Sequence, residues 1–196
     1  MHKNILLYKA MLQHFSGDPR RCQHLIKVAS LAKEIAILEG ADEKLIDLVE
    51  AAGFIHDCGI VVGEAKYGKG HCTGKIQEQE GPAIAQKILG ELGYAQPEIE
   101  RICYLVGHHH TYSNIDGLDY QILVEADFIV NFYEDGLSKE AIAHTIVKIF
   151  RTASGKDLGR TMCALSQALD AGLTCACCQL QQVWNMLLQM LSKDLS

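Results

Sequence analysis

Ala51-Ala52-Gly53-Phe54-Ile55-His56-Asp57-Cys58-Gly59 is an apolar run that closes on a histidine and a carboxylate. Upstream of it, Leu45, Leu48, Val49, Ala52 and Ile55 recur at three and four spacing, the period of one helix face. Asp42 stands at the N-cap of this helix, and Cys58-Gly59 marks its end. His56 extends the buried stripe and Asp57 follows directly, so an imidazole and a carboxylate leave a core helix together.

The same period runs through most of the chain and no stretch sustains strand alternation, so the fold class is all-α. One helix is expected from Pro19 to Glu39, with Leu25, Val28, Leu31, Ala32 and Ile35 inside and Gly40 as its stop. From Gly63 to Glu80 the periodicity fades among glycines and lysines, which reads as a long loop, either a binding loop or a disordered one. Helices resume at Pro82 and Pro97, each proline in a first helical turn, and the second runs into His108, His109 and His110. A polar turn, Ser113 to Gly117, precedes a helix over Asp119 to Tyr133, and further amphipathic helices follow. We therefore expect an N-terminal helix or arm (1–18), one central domain (19–150) and a helical C-terminal extension (151–196). The apolar face of Val183, Trp184, Leu187 and Leu191 in that extension should complete the core or form a dimer contact.

With 48% hydrophobic residues, 21% charged residues and three prolines, the chain of 196 residues can bury one substantial core. Its net charge of −6 argues against general nucleic-acid binding, which needs a basic footprint. The short run Ile5-Leu6-Leu7 lacks a cleavage pattern and no apolar run is long enough to span a bilayer, so a cytoplasmic, membrane-free protein is expected. Eight cysteines then read as reduced thiols rather than a disulfide framework. Cys175, Cys177 and Cys178 form the one dense group, without a second pair at zinc-ribbon spacing.

His24 lies four residues before Val28 and seven before Leu31, so it faces the core with them. Asp127 lies four after Leu123 and three before Val130, inside the stripe of a later helix. An ionised carboxylate buried there needs a partner, hydrogen bonds or a metal. Singly, each residue has a bland reading as a satisfied core histidine or a helix cap. Together, two imidazoles and two carboxylates on core faces of three helices make a mixed nitrogen and oxygen set suited to a divalent metal such as Mn, Fe, Co or Zn.

An early helical histidine, a His-Asp pair closing the next helix and a distant aspartate on a later one resemble the HD superfamily of metal-dependent phosphohydrolases. The resemblance covers Pro19 to Phe150, and its most specific pieces are Ala51 to Gly59 and Val124-Glu125-Ala126-Asp127. It implies an HD-domain bundle in which His24, His56, Asp57 and Asp127 hold one divalent ion, drawn from Fe, Mn, Co, Zn or Mg. The implied substrate is a small phosphomonoester or phosphodiester, nucleotides included, and the implied chemistry is hydrolysis by metal-activated water. Two-metal members carry a further histidine where this chain has Gln77, which favours one ion over two; Glu78, Glu80 and His71 are the substitutes at hand for a second. Ile60-Val61-Val62 departs from ppGpp-type hydrolases, and Thr111-Tyr112-Ser113 departs from cyclic dinucleotide hydrolases.

His108 and His109 are candidate proton donors or phosphate binders beside that ion, and Asp57 a candidate proton acceptor; a solvated, histidine-rich helix end is the bland reading. Helical spacing of about 100° per residue admits His109 to the core face best. Lys66, Lys69 and Lys75 among glycines could wrap a phosphate, with Gln77 and Glu80 at the border of the site. Three other readings stay open: a diiron oxygenase on the same fold, a non-catalytic ligand-binding or signalling module, and a purely structural metal. Monomer and homodimer are both compatible with the sequence.

Overall fold

In a computed structural model of the chain, which describes residues 3–165, the elements are α1 (Lys3–His14), α2 (Pro19–Leu38), α3 (Glu43–Ile55), α4 (Ile60–Tyr67), α5 (Gly74–Glu91), α6 (Gln96–Val106), α7 (Leu118–Glu134), α8 (Lys139–Ile149) and α9 (Ala153–Met162). The described residues are all-α, as their periodicity requires. Asp18 starts α2 by accepting from the Arg21 N–H, with Pro19 in the first turn, where its missing donor costs nothing. Asp42 does the same for α3 through the Leu45 N–H. Gly40 ends α2 at φ 73°, and the Ala41 N–H reaches back to the Ala36 carbonyl.

Helix α7 is the centre: every residue from Asp119 to Val130 is buried. One apolar cluster joins Val28, Ala32, Val49, Ile122, Ala126 and Phe150, drawn from α2, α3, α7 and the end of α8. A second joins Leu7, Met11, Leu25, Ala51, Leu89 and Ile102, drawn from α1, α2, α3, α5 and α6. Helix α3 feeds both clusters from two faces, so its C-terminal His56-Asp57 leaves at the seam between them.

α2 and α3 touch closely because Gly53 has no side chain: a Cβ there would lie 2.5 Å from the Ala29 Cα and 2.8 Å from its nitrogen. Both obstructing atoms are backbone, so the helices must part to admit a methyl. Gly53→Ala is expected to cost about 1–3 kcal/mol, read as a melting temperature roughly 2–12 °C lower. An unchanged melting temperature would mean that the α2–α3 contact is soft.

The segment expected to be a loop is mostly helix. α4 covers Ile60–Tyr67 and α5 begins at Gly74, leaving only residues 68–73 as connection. Pro82 is therefore inside α5 rather than in its first turn. Gly68 and Gly70 do turn the short connection at φ 97° and 81°, but Gly63 and Gly74, with Gly81 beyond them, serve close packing. A Cβ on Gly63 would meet the Cys72 sulfur at 2.2 Å, one on Gly74 the His110 ring at 2.7 Å, and one on Gly81 the Val106 side chain at 2.5 Å. Their partners are distant or outside the local window, so periodicity could not show them.

Cys22, Cys58, Cys72, Cys103 and Cys163 are free thiols, as expected. Cys175, Cys177, Cys178 and the apolar face from Val183 to Leu191 lie outside the described residues. Among the described residues no helix is long and apolar enough to cross a membrane.

Candidate metal centre

Three helices and one turn bring the four expected ligand residues together. His24 comes from the second turn of α2, His56 from the C-cap of α3, Asp57 from the turn that follows, and Asp127 from the middle of α7. The His56 ring is 1% exposed and accepts its orientation from its own helix end: Nδ1 bonds the Gly53 carbonyl at 2.9 Å, which leaves Nε2 facing inward. The His24 Nε2 lies 3.3 Å from the His56 Nε2. Asp127 Oδ1 is 3.2 Å from the first nitrogen and 3.7 Å from the second, and Asp57 Oδ2 is 3.6 and 3.5 Å from them.

Donors sharing one ion at bonds of about 2.0–2.2 Å sit roughly 3.0–3.5 Å apart. The observed separations are close to that spacing. Two imidazole nitrogens aimed at each other, flanked by two carboxylate oxygens, fit a divalent cation in both geometry and donor chemistry. The electrostatics agree: burial alone would lower the His24 pKa, yet hydrogen bonds to Asp127 and Glu134 and the charge of Asp57 raise it to about 10. Burial opposes ionisation of Asp57 and Asp127 as well, but the charge of His56, with the hydrogen bonds of His109 and His24, holds both carboxyls below their usual range. The cluster attracts and holds positive charge.

A second set adjoins it through Asp57. The His109 Nδ1 bonds the Val106 carbonyl at 2.8 Å, turning Nε2 toward Asp57 Oδ1 at 3.4 Å. That Nε2 is fully buried, and its approach to Asp57 is long for a hydrogen bond. His110 bonds Gln77 through Nε2 at 3.0 Å, and its pKa is lowered to about 3 by burial and the His109 charge. Donor atoms of Asp57, His109 and His110 all lie within 4.8 Å of one another, as do those of His24, His56 and Asp57. Glu78 fixes this turn by accepting from the His110 N–H at 3.0 Å and the Thr111 hydroxyl at 2.9 Å.

The remaining expected site residues are placed as follows. His108 turns to Tyr104, bonding its carbonyl at 2.7 Å and stacking on its ring at 4.2 Å, rather than joining Asp57. Gln77 is buried beside His110. Lys66 is on α4, exposed, and paired with Glu80 at 2.5 Å, while Lys69 and Lys75 are exposed in the connection and the first turn of α5. Lys69 lies between Gly68 and Gly70 in the connection, with Lys66 and Lys75 on the helices either side of it.

Sequence reasoning named Glu78 only as a substitute ligand for a second ion, gave His110 no role of its own, and passed over Glu134. Glu134 had a signal, since Asp127, Asn131 and Glu134 are spaced four and three apart on one face of α7. Asn131 donates to Asp127 Oδ1 at 3.0 Å, and Glu134 Oε2 meets the His24 Nδ1 at 3.1 Å. Arg21, one turn before His24, donates twice to Glu64 at 3.0 and 2.8 Å and so ties α2 to α4 beside the Asp57 turn.

The HD-domain family model matches residues 21–151, two thirds of the chain and the whole of this centre. The chain belongs to the HD-domain family. HD domains bind divalent metals, and the His/Asp clusters here could hold one. The crystal structure of a predicted HD superfamily hydrolase from an uncultured Thermotogales bacterium is similar to this HD protein at 20% identity and a TM-score of 0.57, covering 93% of this chain and 90% of that one. At that identity the likeness concerns the fold. No curated protein matches the chain.

Proposed function

We propose that this HD protein is a metal-dependent phosphohydrolase acting on a small phosphomonoester or phosphodiester, nucleotides included, with one divalent ion held by His24, His56, Asp57 and Asp127. The observation that carries the reading is the convergence of those four donors beside the buried His109 Nε2, which faces Asp57. A divalent ion bound there supplies Lewis acidity to a phosphoryl oxygen and makes water easier to deprotonate.

The protein's own groups divide the remaining work. Asp57 faces two ways, with Oδ2 toward His24 and His56 and Oδ1 toward His109, so it can hold the ion with one oxygen and accept a proton on the other. His109 has its Nδ1 committed to the Val106 carbonyl, leaving Nε2 to exchange a proton with a leaving oxygen. Lys66 can reach a phosphate only by releasing Glu80, so it contributes less than a free lysine would. Lys69 and Lys75 remain candidates for the outer face of the substrate, and His108 for a role through Tyr104 rather than at the reacting atoms.

The grouping of Asp57, His109 and His110 also favours a second reading, in which a second ion makes the centre a diiron oxygenase. Gln77, an amide bonded to His110 in place of a ligating histidine, counts against it. The test is a panel of phosphomonoesters, phosphodiesters and nucleotides assayed with Mn²⁺, Fe²⁺, Co²⁺ and Mg²⁺. We expect metal-dependent phosphate release, reduced about 10²–10⁴-fold in His109→Ala while the bound metal is retained. Two irons per chain without phosphoester cleavage would favour the oxygenase, and cleavage with no metal dependence would overturn both readings.

A further inference from the structure

The inner histidines of the two sets are aimed in different ways. His56 and His109 each bond a carbonyl three residues earlier, Gly53 and Val106, so their own helix ends orient them. His24 sits in the second turn of α2, away from the helix C-terminus and its free carbonyls, and its Nδ1 instead reaches a side chain from a distant element, Glu134 Oε2 at 3.1 Å. The other Glu134 oxygen is paired with the Lys27 ammonium, and Lys27 is one turn beyond His24 on the same helix. Glu134 is the last residue of α7, where the negative pole of the helix disfavours a carboxylate. Its position is thus unfavourable for α7 alone and is offset by what it holds on α2.

From this arrangement we infer that Glu134 is a positioning residue for the metal centre, fixing His24 with its proton on Nδ1 and its lone pair on Nε2. The inference rests on the metal centre proposed above and not on the substrate. A carboxylate accepting from the outer nitrogen of a ligating histidine orients the ring and makes the inner nitrogen a better donor, and losing such a partner typically weakens metal binding 10–100-fold. Lys27 holds the carboxylate in place from the solvent side but does not touch the ring.

The test titrates Zn²⁺ against a competing chelator in the full chain and its variants. Glu134→Ala is expected to weaken Zn²⁺ binding by roughly 10–100-fold with an unchanged helical circular-dichroism spectrum. Glu134→Gln keeps an acceptor oxygen and should recover binding to within a few-fold, and Lys27→Ala should stay within a few-fold of the parent. In the Zn²⁺-loaded protein, the His24 Nδ1–H should give a slowly exchanging NMR signal in the parent and in Glu134→Gln, and lose it in Glu134→Ala. Parent-like affinity in Glu134→Ala, or a Glu134→Gln as weak as the alanine variant, would overturn the inference. Failure of the unaltered chain to bind Zn²⁺ would overturn it together with the metal centre, whereas Zn²⁺ binding with this variant pattern but no phosphoester cleavage would uphold it and remove only the hydrolase reading.

Discussion

Asp127→Ala is expected to empty the metal centre and abolish phosphoester hydrolysis. Asp127 Oδ1 is the oxygen nearest the His24 Nε2, at 3.2 Å, and lies 3.7 Å from the His56 Nε2, and it comes from a helix buried along most of its length. No neighbouring carboxylate can swing into its place: Asp57 already faces His109 with its other oxygen, and Glu134 is engaged by His24 and Lys27. Elemental analysis should find bound metal falling below roughly one tenth of the parent level, with activity lower by about 10³-fold or more. Because the apo variant keeps His24 and His56 close together without one of their counter-charges, its folding should be checked by circular dichroism beside Asp127→Asn. A folded Asp127→Ala chain that keeps its metal would place the ion with Asp57, His109 and His110 instead.

The largest expected loss of stability comes from Glu125, two residues earlier on the same helix and on a different face. Its carboxylate is fully buried and accepts the Arg151 N–H at 2.5 Å, the Thr152 N–H at 3.0 Å and the Gln121 amide at 2.7 Å, with the Thr152 hydroxyl on its second oxygen. It thereby caps the entry to α9 and pins that helix to α7. Glu125→Ala would leave several buried donors unsatisfied, each a desolvation cost. A loss of about 3–5 kcal/mol follows, or a melting temperature roughly 6–20 °C lower. Glu125→Gln should recover part of this, since one amide oxygen can still accept while its NH₂ group faces other donors. A shift of only a degree or two in Glu125→Ala would mean that water replaces the carboxylate and that the α9 junction is open to solvent.

The two carboxylates were unequally legible. Asp127 could be read as a site residue because its conflict with an apolar stripe is local to one helix. Glu125 was visible only as a neighbour of Asp127, since its partners Arg151 and Thr152 lie 26 and 27 positions away. The triplet His108 to His110 shows the same division. Periodicity favoured His109, and the structure places it against Asp57, but the chain turns at the end of α6 and aims His110 at Gln77 and His108 at Tyr104. That choice depends on α5 packing beneath the turn.

By itself the sequence determined the all-α class, the core helices α2, α3 and α7, and the positions of His24, His56, Asp57 and Asp127 on their buried faces. Those follow from a rule that acts over three or four residues, the helical repeat, together with the cost of burying charge. Tertiary structure alone decided that residues 60–67 are a helix and that the helix expected from Pro82 starts eight residues earlier, at Gly74, that their glycines are contact points for Cys72, His110 and Val106, and that Glu134 aims His24. In each of these the deciding neighbour belongs to another element of the fold. A pattern confined to one helix cannot register a partner supplied by the next.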